Sequence, residues 1–340
     1  MKDFYPIAIT NYEAPIGHSY SFNKHIDPSF IFDAIYIPTM AQRNNITNIV
    51  KTCNSLTKNI FILHSGYISP TLLECTNNEN VKLIDIHKVK CFSSFKNWYL
   101  SCNPSLDADS TYDLPLKRNF ALEHSSENGF KYIGLIDDDI LFHENDLKKA
   151  LFTLDNNAEM VGFNVLDFPD KSTIEHIERF ITKQPSKVSI GGNFLFFERD
   201  KICGFFPYIY NEDWFFILRN IKENVTIKSA GVVCQEYHEP WHNIQRIKFE
   251  QFGELIINGL YPYFQKGLFD FTKEKQYWEV FHNDYLSKLH MLLEHDKNNL
   301  WQTPILAAIE QVKKIEIRDI EEFSINFDNI IYDRRKDLCY

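Results

Sequence analysis

Tyr132-Ile-Gly-Leu-Ile-Asp-Asp-Asp-Ile-Leu-Phe142 is the stretch on which the fold turns. A short apolar run, Tyr132 to Ile136, stops at Asp137, Asp138 and Asp139, and apolar residues resume at once. A run of this length without a helical period reads as a strand buried in a sheet. Three adjacent carboxylates repel one another and cannot stay ionised in a dry core, so the strand has to end at an accessible edge. If the backbone stays extended there, Asp137 and Asp139 share one side and Asp138 faces the other. Convergent carboxylates at the carboxyl end of a buried strand suit a hard divalent cation. That edge is also where open α/β sheets bind ligands. A solvated acidic turn is the plain alternative.

The chain has 340 residues, enough for a large α/β domain with or without an appendage. Its 44% hydrophobic and 15% aromatic content belongs to a globular chain and not to a disordered one. The formal net charge of −10 advertises no nucleic-acid surface. A phosphate-bearing substrate would therefore need a metal ion or local Lys and Arg. The N-terminus lacks the apolar core of a signal peptide and no later run is long enough to span a bilayer, so a cytoplasmic protein is expected. The seven cysteines are scattered without a C-x-x-C pair, which fits reduced thiols better than zinc or redox chemistry.

Outward from the central stretch, Asp33-Ala-Ile-Tyr-Ile37, Asn59-Ile-Phe-Ile-Leu-His64 and Val81-Lys-Leu-Ile-Asp-Ile86 read as strands, with Ile46, Ile49, Val50 and Cys53 on a helix between the first two. A strand at Ile7–Thr10 opens an irregular lead-in over residues 1–30. Leu116 to Glu127 reads as a helix that delivers the chain into the central strand. Leu147, Leu151 and Leu154 mark another helix, and Met160 to Leu166 a strand. Ser172 and Thr173 can cap a helix carrying Ile174, Ile177 and Ile181. Phe194 to Phe197 and Ile227 to Val233 complete the strands. From about Asn243 the pattern is helical, apart from a β-rich stretch at Ile315–Ile317. The expected architecture is a mostly parallel central sheet flanked by helices over residues 1–250, with a mainly helical extension over 251–340. Asp107-Ala-Asp109, a second D-x-D, lies among turn residues and reads as a solvated loop.

Three further clusters carry chemistry. Glu212 and Asp213 stand between aromatics in Tyr210-Asn-Glu-Asp-Trp-Phe-Phe216, where partial desolvation raises carboxylate basicity; a helix N-terminus is the structural alternative, and both can hold. Gly191-Gly192-Asn193 offers backbone that a ligand can approach, or an ordinary turn at a strand entry. Tyr237-His-Glu-Pro-Trp-His242 holds two histidines, but Pro240 between them disfavours the helix that would aim both at one metal.

In this order the clusters resemble the GT-A glycosyltransferases, especially those similar to family 2. Ile37-Pro38-Thr39 with Arg43, Lys117-Arg118-Asn119-Phe120-Ala121, Asp137-Asp138-Asp139, Gly191-Gly192-Asn193 with Phe196-Phe-Glu-Arg-Asp200, and Glu212-Asp213 all have counterparts in that family, over roughly residues 31–242. One departure matters: the family's second strand usually ends in an Asp that reads the base, and here it ends in Leu63-His64-Ser65-Gly66.

The resemblance implies a GT-A fold and a metal-dependent, inverting, hexosyltransferase-type reaction. A sugar passes from a nucleoside diphosphate sugar, with UDP the first candidate, to an acceptor hydroxyl. Asp139, with Asp137 and His238, would hold Mn2+ or Mg2+. Pro38, Thr39, Arg43, His64, Arg118, Asp137 and Asp138 would bind the nucleotide sugar, with Arg43 and Arg118 on phosphate. Gly191, Gly192, Asn193, Trp214 and Trp241 would line the acceptor or sugar side. Asp213 would be the general base, with Glu212 as the fallback. A homo-oligomer is compatible with all of this. Two rivals stay open: a sugar-nucleotide nucleotidyltransferase, which usually brings a glycine-rich basic loop that Pro38 to Gln42 lacks, and a non-catalytic nucleotide-sugar or glycan-binding protein. The last predicts that Asp137, Asp139 and Asp213 do not converge.

Overall fold

The computed structural model describes residues 30–40, 45–89, 112–166, 172–183, 190–236, 239–264 and 275–323. The expected strand at Ile7–Thr10, the Asp107–Asp109 loop, Arg43 and His238 lie outside them.

Among the described residues eight strands form one sheet: β1 Ala34–Pro38, β2 Ile60–His64, β3 Val81–Asp85, β4 Tyr132–Ile136, β5 Ile140–Leu141, β6 Met160–Leu166, β7 Ile190–Glu198 and β8 Ile227–Gln235, in spatial order β3-β2-β1-β4-β7-β6-β8-β5. β3, β2, β1 and β4 run parallel. β7 then enters antiparallel to both β4 and β6, β6 and β8 are parallel, and β5 is antiparallel to β8. The sheet is therefore mixed, which corrects the expectation of a mostly parallel one. The reason is physical: a central strand covered on both faces reads as a continuous apolar run whichever way it points.

Both faces are covered. On one, the helices Ile46–Cys53, Pro70–Cys75 and Glu144–Asp155 pack around Ile35, Ile37, Ile62, Ile136 and Phe196. On the other, Leu114–Glu127 and Glu212–Lys222 pack around Tyr36, Leu135, Leu195 and Phe197. That second core continues through Leu255, Trp278, Leu289 and Ile309 into the helices Ile244–Phe264, Lys275–His295 and Gln302–Val312. Residues 317–323 are helical, so the expected β-rich stretch at Ile315–Ile317 is not one. Between β2 and β3 the short helix Pro70–Cys75 is capped by Ser69, which accepts the Leu72 N–H at 3.3 Å. Among the described residues no helix is long and apolar enough to cross a membrane.

Candidate active site

The carboxyl ends of β1, β2 and β4 lie on one edge of the sheet because these strands are parallel neighbours. The acidic triplet leaves β4 there. Its backbone does not stay extended: Asp137, Asp138 and Asp139 make a turn closed by the Ile140 N–H on the Asp137 carbonyl at 3.3 Å. The alternation expected for an extended chain therefore gives way to three separate directions. Asp137 turns to Arg118, whose Nη2 donates to its two oxygens at 2.8 and 3.1 Å. Asp138 accepts from the Thr39 hydroxyl. Asp139, buried, accepts from Gln235 Nε2 at 3.1 Å, and its carbonyl takes the Glu236 N–H at 2.9 Å, which ties the turn to the end of β8.

Arg118 is the centre of the site. It sits in the helix Leu114–Glu127 with 2% exposure, its Nη1 2.6 Å from Glu212 Oε1 and its Nη2 on Asp137. Burial works against its charge, but Asp137, Glu212 and Asp213 outweigh that and raise its pKa. Toward Asp137 one nitrogen, Nη2, is shared between the two carboxylate oxygens, while Nη1 goes to Glu212, so the guanidinium bridges two carboxylates. Both terminal nitrogens are thus committed to carboxylates, where the family resemblance implied a phosphate contact; its Nε is buried without a hydrogen-bond partner.

Glu212 and Asp213 open the helix Glu212–Lys222, so the helix-start and partly buried readings both hold. The two carboxylates differ. Glu212 is 2% exposed, bound to Arg118 and to the Tyr112 hydroxyl, and burial pushes its pKa up to about 7 in spite of the Arg118 charge. Asp213 is partly exposed; its Oδ2 accepts the Gly192 N–H at 2.6 Å and its Oδ1 the Trp214 N–H at 2.9 Å.

Gly191, Gly192 and Asn193 lie inside β7, not in a turn before it, which corrects that expectation. They run past the last β4 pair, Ile136 with Phe194, and past a break in the β6 register, so the Gly192 N–H is available to Asp213. Gly192 has to be glycine. A Cβ there would stand 2.5 Å from the Asp213 Cβ and 2.8 Å from Arg118 Nη1. Asn193 is buried, and its Oδ1 has no hydrogen-bond partner.

A second polar cluster sits beside this one at the ends of β1 and β2. Lys117, 2% exposed, donates to Asp113 at 2.7 Å, Ser65 Oγ at 2.6 Å and the Thr39 carbonyl at 3.0 Å. Ser65 also donates to Asp113 at 2.6 Å. Pro38 is buried on β1, opposite Leu63. His64, opposite Asp85, is buried; burial lowers its pKa against the pull of Asp85, and its Nδ1 has no partner. Trp214 is partly exposed in the first turn of its helix. Trp241 packs on Phe180 and Trp301, at ring separations of 5.6 and 4.9 Å. His242 lies at 2.9 Å from Glu239 on the surface.

Sequence reasoning missed Tyr112, Asp113, Lys117 as a hub, and Gln235. Lys117 stood in the quoted Lys117-Arg118-Asn119 run, whose third member, Asn119, bonds both backbone groups of Phe206 at 2.7 and 2.8 Å. Three successive polar residues all buried in one helix are the signal that could have been used.

Among the described residues no group of three or more His, Cys, Asp or Glu is placed to hold a metal ion. The donor chemistry of the acidic turn is nonetheless that of a hard cation. Such a cation uses one or two carboxylates, water and substrate phosphate, and needs no three-residue cage.

No protein-family model matches the chain, and no curated protein matches it. Among solved structures it is similar to a glucosyl-3-phosphoglycerate synthase from M. tuberculosis (10% identity, TM-score 0.45, 67% of this chain and 80% of that one). It is also similar to a protein described as a nucleotide-diphospho-sugar transferase from Desulfovibrio desulfuricans G20 (8% identity, TM-score 0.39, 60% and 81%). A 4-diphosphocytidyl-2C-methyl-D-erythritol synthase from Anaerococcus prevotii matches at 11% identity and TM-score 0.30 over 70% and 98%. At such identities and TM-scores the functional reading rests on the site itself.

Proposed function

We propose that this chain is a metal-dependent transferase that moves a sugar from a nucleoside diphosphate sugar, UDP-linked in the first instance, to an acceptor hydroxyl with inversion. One observation carries the reading: Asp137 from the end of β4, Glu212 and Asp213 from a helix start, and Gly192 from β7 are gathered around the single guanidinium of Arg118. Of the three carboxylates whose convergence would argue against a non-catalytic binding protein, Asp137 and Asp213 lie by Arg118, whereas Asp139 turns to Gln235.

By the family resemblance Asp139, Asp137 and His238 would hold Mn2+ or Mg2+; Asp137 turns to Arg118 and Asp139 to Gln235, so holding one ion would require the two carboxylates to reorient toward it. When bound, the ion supplies Lewis-acid neutralisation of charge on the departing diphosphate. Arg118 fixes Asp137 at the edge of the sheet. Asp138, whose carboxylate accepts from the Thr39 hydroxyl, would accept a hydrogen bond from a ribose hydroxyl. Asp213 takes the acceptor proton. Its two backbone amide bonds fix the carboxylate while leaving lone pairs for that proton. Glu212 is walled in by Arg118 and Tyr112, so it supports its neighbour and does not reach the acceptor. A direct displacement with one base inverts the anomeric centre.

The test is calorimetry with UDP and Mn2+ alongside product NMR on a panel of sugar nucleotides. Binding should require the divalent ion, Asp139→Asn should weaken it, and the product anomer should be opposite to the donor's. Metal-independent binding that Asp139→Asn leaves unchanged would remove the acidic turn from the donor site.

A further inference from the structure

The helix Ile244–Phe264 reaches the back of the candidate site at three points. The Phe249 ring lies 4.6 Å from the ring of Tyr112, the residue whose hydroxyl binds Glu212. One turn on, Gly253 rests directly on the backbone of Tyr210: a Cβ there would overlap the Tyr210 carbonyl oxygen, so only glycine allows the approach. The next residue, Glu254, is 7% exposed, and its Oε2 accepts from Asn211 Nδ2 at 3.0 Å. Asn211 is the pivot of the turn. It holds a left-handed conformation, φ 66° and ψ 29°, directly before Glu212, and its carbonyl accepts the Trp214 and Phe215 N–H groups that start the helix. Asn is among the few residues with a side chain that adopt this region readily, and a bond from its side chain fixes which way it points.

We propose that Glu254 is a positioning residue for the Glu212–Asp213 turn: through Asn211 it sets the direction in which Asp213 leaves the helix start. Asp213 in turn must meet the Gly192 N–H at 2.6 Å, so a small rotation of the turn moves the carboxylate off β7. Misplacement of a reacting group by about 1 Å can cost 10²-fold in rate. The helical segment thus belongs to the working site and is more than a prop for the sheet. Naming Asp213 as the base rests on the proposed function; the positional claim does not.

Two variants separate the contributions. Glu254→Leu removes the acceptor, and Asn211→Gly keeps the left-handed backbone while deleting the side chain. In both, amide hydrogen exchange at Gly192 and Trp214 should accelerate, since Asp213 accepts from the first N–H and shares the second with the carbonyl of Asn211. Binding of UDP with Mn2+ should stay within twofold. Transfer should lose roughly 10- to 100-fold in kcat at unchanged donor KM. Glu254→Gln, which still offers Asn211 an oxygen, should recover most of both effects. If Glu254→Leu does not fold, Asn211→Gly decides. Wild-type exchange at Gly192 and Trp214 in the variants overturns the proposal whether or not the wild-type chain transfers sugar. Faster exchange in a chain without transfer supports the positioning and removes only the catalytic reading.

Discussion

Lys117 and Arg118 are neighbours in one helix, equally buried, and they do opposite things. Lys117 sits in a closed network: one ammonium, one carboxylate from Asp113, a hydroxyl and a carbonyl. Its charge is matched and its donors are used, so the network ties the ends of β1 and β2 to the helix and asks for nothing more. Arg118 meets Asp137 and Glu212 directly and Asp213 nearby. Its carboxylates arrive from 19 and 94 positions away, against four for Lys117. The first cluster sets one carboxylate of its own helix against its cation; the second gathers carboxylates from two other elements on one guanidinium. Burial and charge alone do not distinguish a site from a brace; the convergence of carboxylates from separate elements does.

Arg118→Met should break the comparison most. It leaves Glu212 buried beside Asp213 without a cation, and losing one partner of a buried pair costs about 3–5 kcal/mol. Denaturant unfolding would measure it. A loss under about 1 kcal/mol would mean that water already reaches Glu212.

Next comes the proton on Glu212. The folded chain holds it up to about pH 7, whereas the unfolded chain releases it near the ordinary value of 4.5. Between these values the folded state binds more protons, so this group's contribution falls as pH rises through the window. Glu212→Gln should flatten that part of the stability–pH curve, by on the order of 3 kcal/mol across it. Identical curves for the two proteins would place the titration elsewhere.

Lys117→Met should be milder, about 1–3 kcal/mol, because Ser65 still donates to Asp113 at 2.6 Å. It should leave metal-dependent UDP binding nearly unchanged, and a large loss of binding would make the Lys117 cluster part of the donor site.

The same contrast explains what could be read in the chain. The strand ending in Asp137, and Glu212–Asp213 at a helix start, were legible because a local pattern specifies each: an apolar run cut by charge, and acids placed at the positive end of a helix. The turn that sends Asp137, Asp138 and Asp139 in three directions was not, since Arg118, Thr39 and Gln235 pull them from separate elements. Nor was the direction of β7, or the presence of Gly191–Gly192 inside it: strand polarity leaves no mark on a buried apolar run. Tyr112 followed a stretch read as loop, and Glu254 sat in a helical pattern with no visible tie to Asn211. Long-range partners of buried polar groups are a tertiary property.

The central claim is that Asp213 does the chemistry in a site whose other carboxylates hold and orient. The direct measurement is Asp213→Asn, compared with wild type for metal-dependent UDP affinity and for sugar transfer. Affinity should stay nearly intact while transfer falls by roughly 10²–10⁴-fold, the usual contribution of a positioned base. Transfer close to wild type in Asp213→Asn would contradict the account.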